Sequence, residues 1–396
     1  FKNINQILLT ETLSHCISKG YEYCVYRSII KEEFQDSIHD TLRLQGFIPV
    51  PTSTGNDNAY CVNMSTPCVL SLDLETVIKE PFRYNKAFQR ALKKARSRLQ
   101  QALTELYKGH LVLSIDRNMV HERLIRKICK ENNVPIEPQN NRIFGPCVCV
   151  PFGQILNKHM IPNTVTKSMH TEKFFNPDMK SYRIDAFPYY LDLKSQVRMI
   201  QSFRRPVILV DDLLHKGYRI KALDPILKEE NVTIQKIIVG ILSARGKEIM
   251  DSQNRDVDCA YYIPKLRLWF NENAMYPFIG GDALWRGHYP KRNLLPSVNY
   301  ILPYAAPSFI KGTSKEAIYN LSQISIENSL EILSVLEKEY QDMYERKLTL
   351  YSMGHVFVSP RCPDQGEDME YDLNLSPSHY LRNDLELLRR LKNFLE

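Results

Sequence analysis

The segment from Arg205 to Leu223 constrains the fold of this chain more than any other part of the sequence. It reads RPVILVDDLLHKGYRIKAL, so four apolar residues run directly into Asp211 and Asp212. An unbroken apolar run of this kind is typical of a strand buried on both faces of a parallel sheet. A loop with one glycine follows, and apolar residues then recur at helical spacing. The segment predicts a strand, an acidic pair, a glycine loop and a helix in succession.

This succession predicts a site for a sugar phosphate. Carboxylates at the C-terminal end of a parallel strand lie where open α/β sheets bind ligands. The glycine lets the loop turn toward a ligand, and the first amides of the next helix favour an anion. The alternative is structural, because acids at such a strand end also cap a helix or pair with a nearby arginine. For the ligand hypothesis, the predicted binding residues of the loop are His215, Lys216, Gly217, Tyr218 and Arg219.

The same stretch resembles the ribose-phosphate motif of type I phosphoribosyltransferases. That motif is a hydrophobic strand, two acids and a loop of the form D-T-G-x-T. Asp211 and Asp212 match the acid pair, and Gly217 matches the loop glycine. The resemblance implies that the two acids are the catalytic pair and face the ribose 2′ and 3′ hydroxyls. It also implies that the loop wraps the 5′-phosphate.

Three loop positions depart from that motif. His215 stands where the family usually has an acid, Lys216 where it has threonine, and Arg219 where it has threonine or serine. Lysine and arginine still supply charge-assisted hydrogen bonds to a phosphate. The departures leave two functions open, an active transferase or a non-catalytic nucleotide sensor built on the same fold.

For an active enzyme, the resemblance implies substitution at the anomeric carbon of a ribose 5-phosphate donor. The acceptor would be a nitrogenous base, as expected of a glycosyltransferase of nucleotide metabolism. Pyrophosphate would leave with Mg²⁺, which is held mainly by the substrate phosphates because this ion needs few protein ligands. We assign no metal ligand among the protein side chains, since no cluster has suitable spacing in the sequence.

Strand and helix patterns alternate between residues 142 and 305, which predicts parallel strands covered by helices. We expect an α/β fold with a doubly wound, mostly parallel sheet of phosphoribosyltransferase type in region 141–305. Region 1–140 is predicted to be an N-terminal α/β region, and region 306–396 a helical C-terminal region suited to packing or homo-oligomerisation. Between the core strand at Cys147–Phe152 and the helix at Leu193–Ser202, the pattern predicts a long irregular stretch.

Two loops at the expected ligand edge supply further candidate residues. Gly153 follows the first core strand, where the family resembled binds pyrophosphate, and Lys158 lies near it. Arg245 and Lys247 follow the buried run IIVGIL, where they would contact a second phosphate or carboxylate. Arg245 is equally suited to pair with one of the two acids.

A third candidate is Asp282, which stands in the stretch YPFIGGDALWR. The family resembled often has an acid and an aromatic or aliphatic residue near the base after its last core strand. Asp282 would lie near such a base, with Trp269 or Trp285 stacked on it. The alternative is a surface turn with Trp285 in the core.

The N-terminal region offers two other functions. Its order of a helix, then Leu44-x-Gly46-Phe47, then a strand resembles the C-terminal half of an N-acetyltransferase-like fold, which implies acyl transfer as an alternative activity. The Q/R-x-x-G-x-G/A pattern of the acyl-CoA loop is not present. A basic helix over Tyr84–Lys108 would contact nucleic acid, or would be an ordinary solvated face.

Composition sets the remaining expectations. The chain has 396 residues and a net charge of +7, which suits an anionic ligand or nucleic acid without identifying either. No apolar run reaches the length of a membrane span. The nine cysteines are odd in number and lack a Cys-x-x-Cys pair, so we expect reduced thiols and a cytoplasmic protein. The first residue is Phe1 rather than Met, which leaves room for a segment upstream.

Overall fold

A computed structural model describes residues 2–27, 35–51, 59–139, 144–156, 160–287, 293–366 and 370–392. Within these ranges the helices are α1 (Lys2–Ser18), α2 (Gln35–Leu44), α3 (Lys86–Leu106), α4 (Arg117–Glu131), α5 (Leu193–Gln201), α6 (Tyr218–Glu229), α7 (Ala244–Asp251), α8 (Lys315–Tyr344) and α9 (Pro377–Lys392). No helix in this part of the chain has the length and apolar character needed to span a bilayer.

The described strands form three five-stranded sheets. In chain order they are β1 (Tyr23–Arg27), β2 (Ile48–Val50), β3 (Ala59–Leu72), β4 (His110–Asp116), β5 (Val148–Pro151), β6 (Val165–Thr166), β7 (Thr171–Phe175), β8 (Tyr182–Ala186), β9 (Val207–Leu214), β10 (Ile234–Leu242), β11 (Val257–Tyr262), β12 (Leu268–Asn271), β13 (Asp282–Leu284), β14 (Leu295–Val298) and β15 (Arg361–Pro363).

The first sheet is built around the long strand β3. Strands β1 and β2 pair antiparallel with its first half. Strands β4 and β12 run parallel to its second half, one on each side. The carboxyl ends of β3, β4 and β12 therefore meet at one edge of this sheet.

The central sheet has the order β11-β10-β9-β5-β6, and all of its strand pairs are parallel. Val207 and Leu209 of β9 face a core shared with α5, α6 and α7. Ile208 and Val210 face the opposite core, which includes α4 and the first sheet. The apolar run is buried on both faces, as its sequence predicts, and the α/β class is confirmed. The doubly wound arrangement of phosphoribosyltransferase type stays a prediction.

The third sheet, here called the cover sheet, has the order β15-β14-β13-β7-β8. Strands β6, β7 and β8 lie in the stretch predicted to be irregular, so that prediction is wrong. The sequence signal is weak because these strands are short and mostly half-buried, which leaves no long apolar run. The turn between β7 and β8 is closed by a hydrogen bond of 3.0 Å from the amide of Asn176 to the carbonyl of Ser181.

The C-terminal helices pack against the N-terminal region. Apolar residues of α3, α8 and α9 belong to one core, represented by Leu99, Leu333 and Leu388. The division of the chain into three regions stays a prediction. Two strands join sheets across the predicted boundaries, because β12 pairs with β3 and β15 pairs with β14.

Candidate functional site

The acidic pair lies inside β9 rather than after it, because this strand continues to Leu214. Successive side chains of a strand point to opposite faces, so the two carboxylates have different surroundings. Asp211 is buried and forms an ion pair with Arg219 in the first turn of α6. The amide of Asp212 donates a hydrogen bond of 2.8 Å to the same carboxylate.

The buried ion pair settles which arginine contacts the acids in this structure. The sequence offered Arg245 as the partner, but Arg219 holds that position. Burial raises the pKa of the Asp211 carboxyl, and the guanidinium of Arg219 opposes that rise. Arg219, which was assigned to the phosphate, is therefore engaged by an acid, and Asp211 has less freedom than Asp212 to contact a ligand.

Asp212 holds the loop that follows β5. The amides of Gln154 and Ile155 donate to its two carboxylate oxygens, at 2.6 and 2.9 Å. Gly153 is needed for this contact, because a Cβ at that position would lie 2.5 Å from Oδ1 of Asp212. The sequence predicted that the loop at Gly153 approaches a bound ligand. In this structure the loop backbone at Gly153 instead lies against the carboxylate of Asp212.

Arg117 holds the same loop from the other side. Its guanidinium donates to the carbonyl oxygens of Gln154, at 3.0 Å, and of Ile155. Arg117 is the first residue of α4, directly after β4 of the first sheet. Sequence analysis missed Arg117 because nothing near it in the chain indicates that it reaches a loop of the central sheet.

The loop between β9 and α6 turns through Gly217, whose φ of 66° is left-handed. The helix then begins without a side chain that caps its first amides. Nδ1 of His215 lies 2.8 Å from the hydroxyl of Ser243. Burial lowers the pKa of His215, and the nearby cations Lys216 and Arg245 lower it further, which favours the neutral imidazole. The Lys216 side chain is exposed.

Arg245 and Lys247 lie in the first turn of α7. This helix begins at Ala244, because Ser243 caps it through the amide of Gly246. Gly246 packs directly on the end of β9, where a Cβ would lie 2.1 Å from the carbonyl oxygen of Leu214. Both basic side chains are exposed at the same edge of the sheet as the β9–α6 loop.

Asp282 begins β13 of the cover sheet and forms an ion pair of 3.2 Å with Lys173 of β7. The Lys173 ammonium also lies 4.7 Å from the ring centre of Tyr182. That ring contacts Tyr218 edge-on at 5.5 Å, so the cover sheet reaches the β9–α6 loop through this pair. Lys158 lies outside the described residues.

The two tryptophans belong to different sheets. The ring of Trp285 meets Phe174 edge-on at 5.7 Å within the cover sheet. Trp269 lies in β12, and its indole N–H donates a hydrogen bond of 2.7 Å to the hydroxyl of Ser71. Trp269 therefore belongs to the first sheet.

A cleft separates the carboxyl ends of the first sheet from the carboxyl ends of the central sheet. We call it the inter-sheet cleft, and the residues that matter for its chemistry are Asp73, Arg117, Gln154, Asp212, Trp269 and Asn271. Burial raises the pKa of Asp73 to about 7, and the nearby carboxylates of Glu272 and Asp212 add to the rise. Sequence analysis missed Asp73, although its position directly after a strand was a usable signal.

Glu272 fixes the backbone around Asp73. One of its carboxylate oxygens accepts from the amides of Asp73 and Leu74, both at 2.9 Å. Arg96 of α3 donates to both oxygens of Glu272, at 2.7 and 2.9 Å. Two other basic residues of α3, Lys94 and Arg98, pair with Glu331 of α8. The basic face of α3 is thus partly neutralised, and its proposed contact with nucleic acid stays a prediction.

No protein-family model and no curated protein matches the chain. Similar solved structures include a purine phosphoribosyltransferase from Pyrococcus horikoshii, with 14% identity, a TM-score of 0.25, and coverage of 39% of this chain and 87% of that chain.

Two further structures are similar at the same level. TT1426 from Thermus thermophilus has 13% identity and a TM-score of 0.22, with coverage of 38% of this chain and 84% of that chain. AQ2163 from Aquifex aeolicus has 16% identity and a TM-score of 0.21, with coverage of 51% of this chain and 86% of that chain. TM-scores of this size carry no argument about function.

Proposed function

We propose that this chain is a phosphoribosyltransferase-like protein that binds a phosphorylated ribose at the C-terminal edge of the central sheet. One juxtaposition supports the proposal. Asp211 and Asp212 lie near the end of β9, between the loop that begins at Gly153 and the left-handed Gly217 that precedes α6. Parallel sheets bind ligands at this edge. Transfer of the phosphoribosyl group to a nitrogen acceptor is the activity that the proposal implies.

The residues take different roles in the proposed complex. Asp211 is paired with Arg219, so Asp212 would contact the ribose hydroxyls. Its two oxygens accept one loop amide each, which leaves lone pairs for the hydroxyls. Its negative charge would also stabilise the positive charge that develops at the anomeric carbon. The 5′-phosphate would lie against Lys216 and the first amides of α6, since uncapped helix amides favour anions.

Mg²⁺ enters the proposal with the substrate. In the part of the chain that the structure describes, no three His, Cys, Asp or Glu side chains are grouped so that they could hold a metal ion. Both carboxylates of the acidic pair already accept hydrogen bonds from the protein. The ion would be held mainly by the donor's phosphates, and its role would be to neutralise the leaving pyrophosphate.

The Asp211–Arg219 pair favours a second candidate function, which is nucleotide sensing without transfer. An acid held in a buried ion pair contributes less to a developing cation than a free carboxylate does. Release of pyrophosphate from the bound donor would distinguish a transferase from a sensor. The acyltransferase alternative rests only on the resemblance of the N-terminal region, and acyl-CoA binding would test it.

The test is calorimetric titration with phosphoribosyl pyrophosphate and Mg²⁺. Lys216→Ala should weaken binding about tenfold or more, because a hydrogen bond to a charged group contributes roughly 1.5–3 kcal/mol. Lys228→Ala is the matched control, since Lys228 is also exposed but lies in the last turn of α6, about 15 Å along the helix. Equal affinities of the two variants would contradict the assignment of the phosphate to this loop.

A further inference from the structure

Strands of two different sheets end at the inter-sheet cleft. From the first sheet, β3 and β12 bring Asp73 and Asn271, and β4 leads into Arg117. From the central sheet, β9 brings Asp212 and the loop after β5 brings Gln154. Ligands of parallel α/β sheets bind outside the carboxyl ends of the strands. Here two such edges face each other, and Asp212 belongs both to the cleft and to the proposed ribose site.

The cleft is suited to a positively charged or hydrogen-donating group. It contains two carboxylates, those of Asp73 and Asp212, and one cation, that of Arg117. The guanidinium of Arg117 is already engaged by two carbonyl oxygens of the β5 loop. Glu272 adds negative charge close to Asp73, although Arg96 compensates part of it. Asn273 donates hydrogen bonds to the Asp73 carboxylate, and the charges of Glu272, Arg117 and Asp212 act on it electrostatically.

The size of the cleft limits what it holds. The space open to a water-sized group is about 20 Å³, enough for one such group. An ammonium or amino nitrogen has this size. The indole of Trp269 lines the same space, and its orientation is fixed by the hydrogen bond to Ser71. A cation near the face of an indole gains further attraction.

We propose that the inter-sheet cleft binds the amino group of the acceptor, which is a primary amine or ammonia, and that Asp73 accepts its proton. The proposal rests on the proposed function. The amine binds as its ammonium ion and gives one proton to the carboxylate of Asp73, which frees the nitrogen lone pair to form a bond to the anomeric carbon of the donor. The bond from that carbon to the pyrophosphate oxygen breaks, and its electron pair leaves with pyrophosphate. The product nitrogen then carries the positive charge and leaves as an ammonium ion, and Asp73 returns its proton to the solvent.

Two observations support Asp73 as the proton acceptor. Its side chain lies in the cleft that also contains Asp212, so the proposed amine and the proposed ribose share one boundary. Burial raises the pKa of Asp73 to about 7, and a general base works best when its pKa lies near the operating pH. The side-chain amide of Asn273 donates to the Asp73 carboxylate at 2.9 Å, which fixes its orientation.

Amine binding can be measured without the donor. The chain has two tryptophans, so a Trp285→Phe background leaves Trp269 as the only indole. Methylammonium chloride should give a saturable change in its fluorescence, whereas sodium chloride and tetramethylammonium chloride should not. Asp73→Asn in this background should weaken the response at least tenfold. Asn271→Ala, which removes another polar group of the cleft, should also weaken it and serves as the second variant if Asp73→Asn does not fold.

Failure of this inference differs from failure of the proposed function. Calorimetry with phosphoribosyl pyrophosphate and Mg²⁺ should give the same affinity for the wild type and for Asp73→Asn. With methylamine as acceptor, Asp73→Asn should release pyrophosphate about 100-fold more slowly, since general-base catalysis contributes 10²–10⁴-fold.

Donor binding without a methylammonium response would overturn the amine cleft and leave the proposed function intact. A methylammonium response without donor binding would support the amine site and overturn its role as the acceptor site. Unchanged amine affinity in folded Asp73→Asn would also contradict the proposal.

Discussion

The Asp211–Arg219 pair gives a prediction whose magnitude follows from the structure. The Asp211 side chain is 5% exposed and the Arg219 side chain 28% exposed, so the pair is mostly removed from water. Removing one partner of a buried pair costs roughly 3–5 kcal/mol, because the other charge is left buried without compensation. Partial exposure of Arg219 lowers this cost, and we expect about 2–4 kcal/mol for Asp211→Asn or Arg219→Met alone.

The double variant should cost much less than the sum of the two single changes. Once one partner is lost, removing the other relieves an isolated charge, so we expect a coupling energy of about 2 kcal/mol between the positions. With single costs of about 2–4 kcal/mol, the double variant should therefore be about 2 kcal/mol more stable than the sum of the two single changes predicts.

Hydrogen exchange of the β9 and α6 amides is the suitable assay. Unfolding of a chain of this length is not expected to be a single transition, whereas exchange reports the free energy of opening of each region. Peptides from α9 provide the internal control, because that helix packs in a different core. Additive effects of the two substitutions on β9 exchange would refute the coupling, and with it the conclusion that Arg219 is engaged by Asp211 rather than free for a phosphate.

Three further predictions concern residues around the site. Gly153→Ala should displace the Asp212 carboxylate, because the new Cβ would lie 2.5 Å from Oδ1. Loss of even one hydrogen bond from the loop amides to this carboxylate should destabilise the β5 loop by about 1.5–3 kcal/mol. Faster hydrogen exchange of the loop amides would measure this loss. Gly246→Ala should speed the hydrogen exchange of the α7 amides, because its Cβ would lie 2.1 Å from the Leu214 carbonyl and such overpacking typically costs about 1–3 kcal/mol. Unchanged exchange would contradict the tight contact. The raised pKa of Asp73, about 7, means that its stabilising contribution is complete below its ordinary value and is lost as the pH rises through 7. Asp73→Asn should therefore gain stability relative to the wild type between pH 5 and pH 8, by about 2.5 kcal/mol, and parallel pH profiles would count against the shift.

The strand, loop and helix around the acidic pair could be predicted from the sequence because their signals are local. The apolar run of β9, the glycine of the loop and the helical spacing of α6 all lie within one segment. The start of α7 also had a local signal, since Ser243 is a typical helix cap.

The rest of the candidate site depends on contacts between distant segments. Arg117 reaches the β5 loop only because α4 crosses from the first sheet to the central sheet. Asp73 meets Asp212 only because the carboxyl ends of two sheets face each other across the inter-sheet cleft. Strand β12 joins β3 from far along the chain. Spacing within a segment carries no information about such pairings, so the sequence predicted the acidic pair but not the cleft beside it.

The most direct test of the central claim is calorimetric titration of phosphoribosyl pyrophosphate with Mg²⁺ into the wild type and into Asp211→Asn/Asp212→Asn. We predict saturable binding by the wild type and loss of binding in the double variant, with the fold of both proteins verified by circular dichroism. Equal binding by both proteins would contradict a ribose phosphate site at the end of β9. No binding by the wild type would contradict the account as a whole.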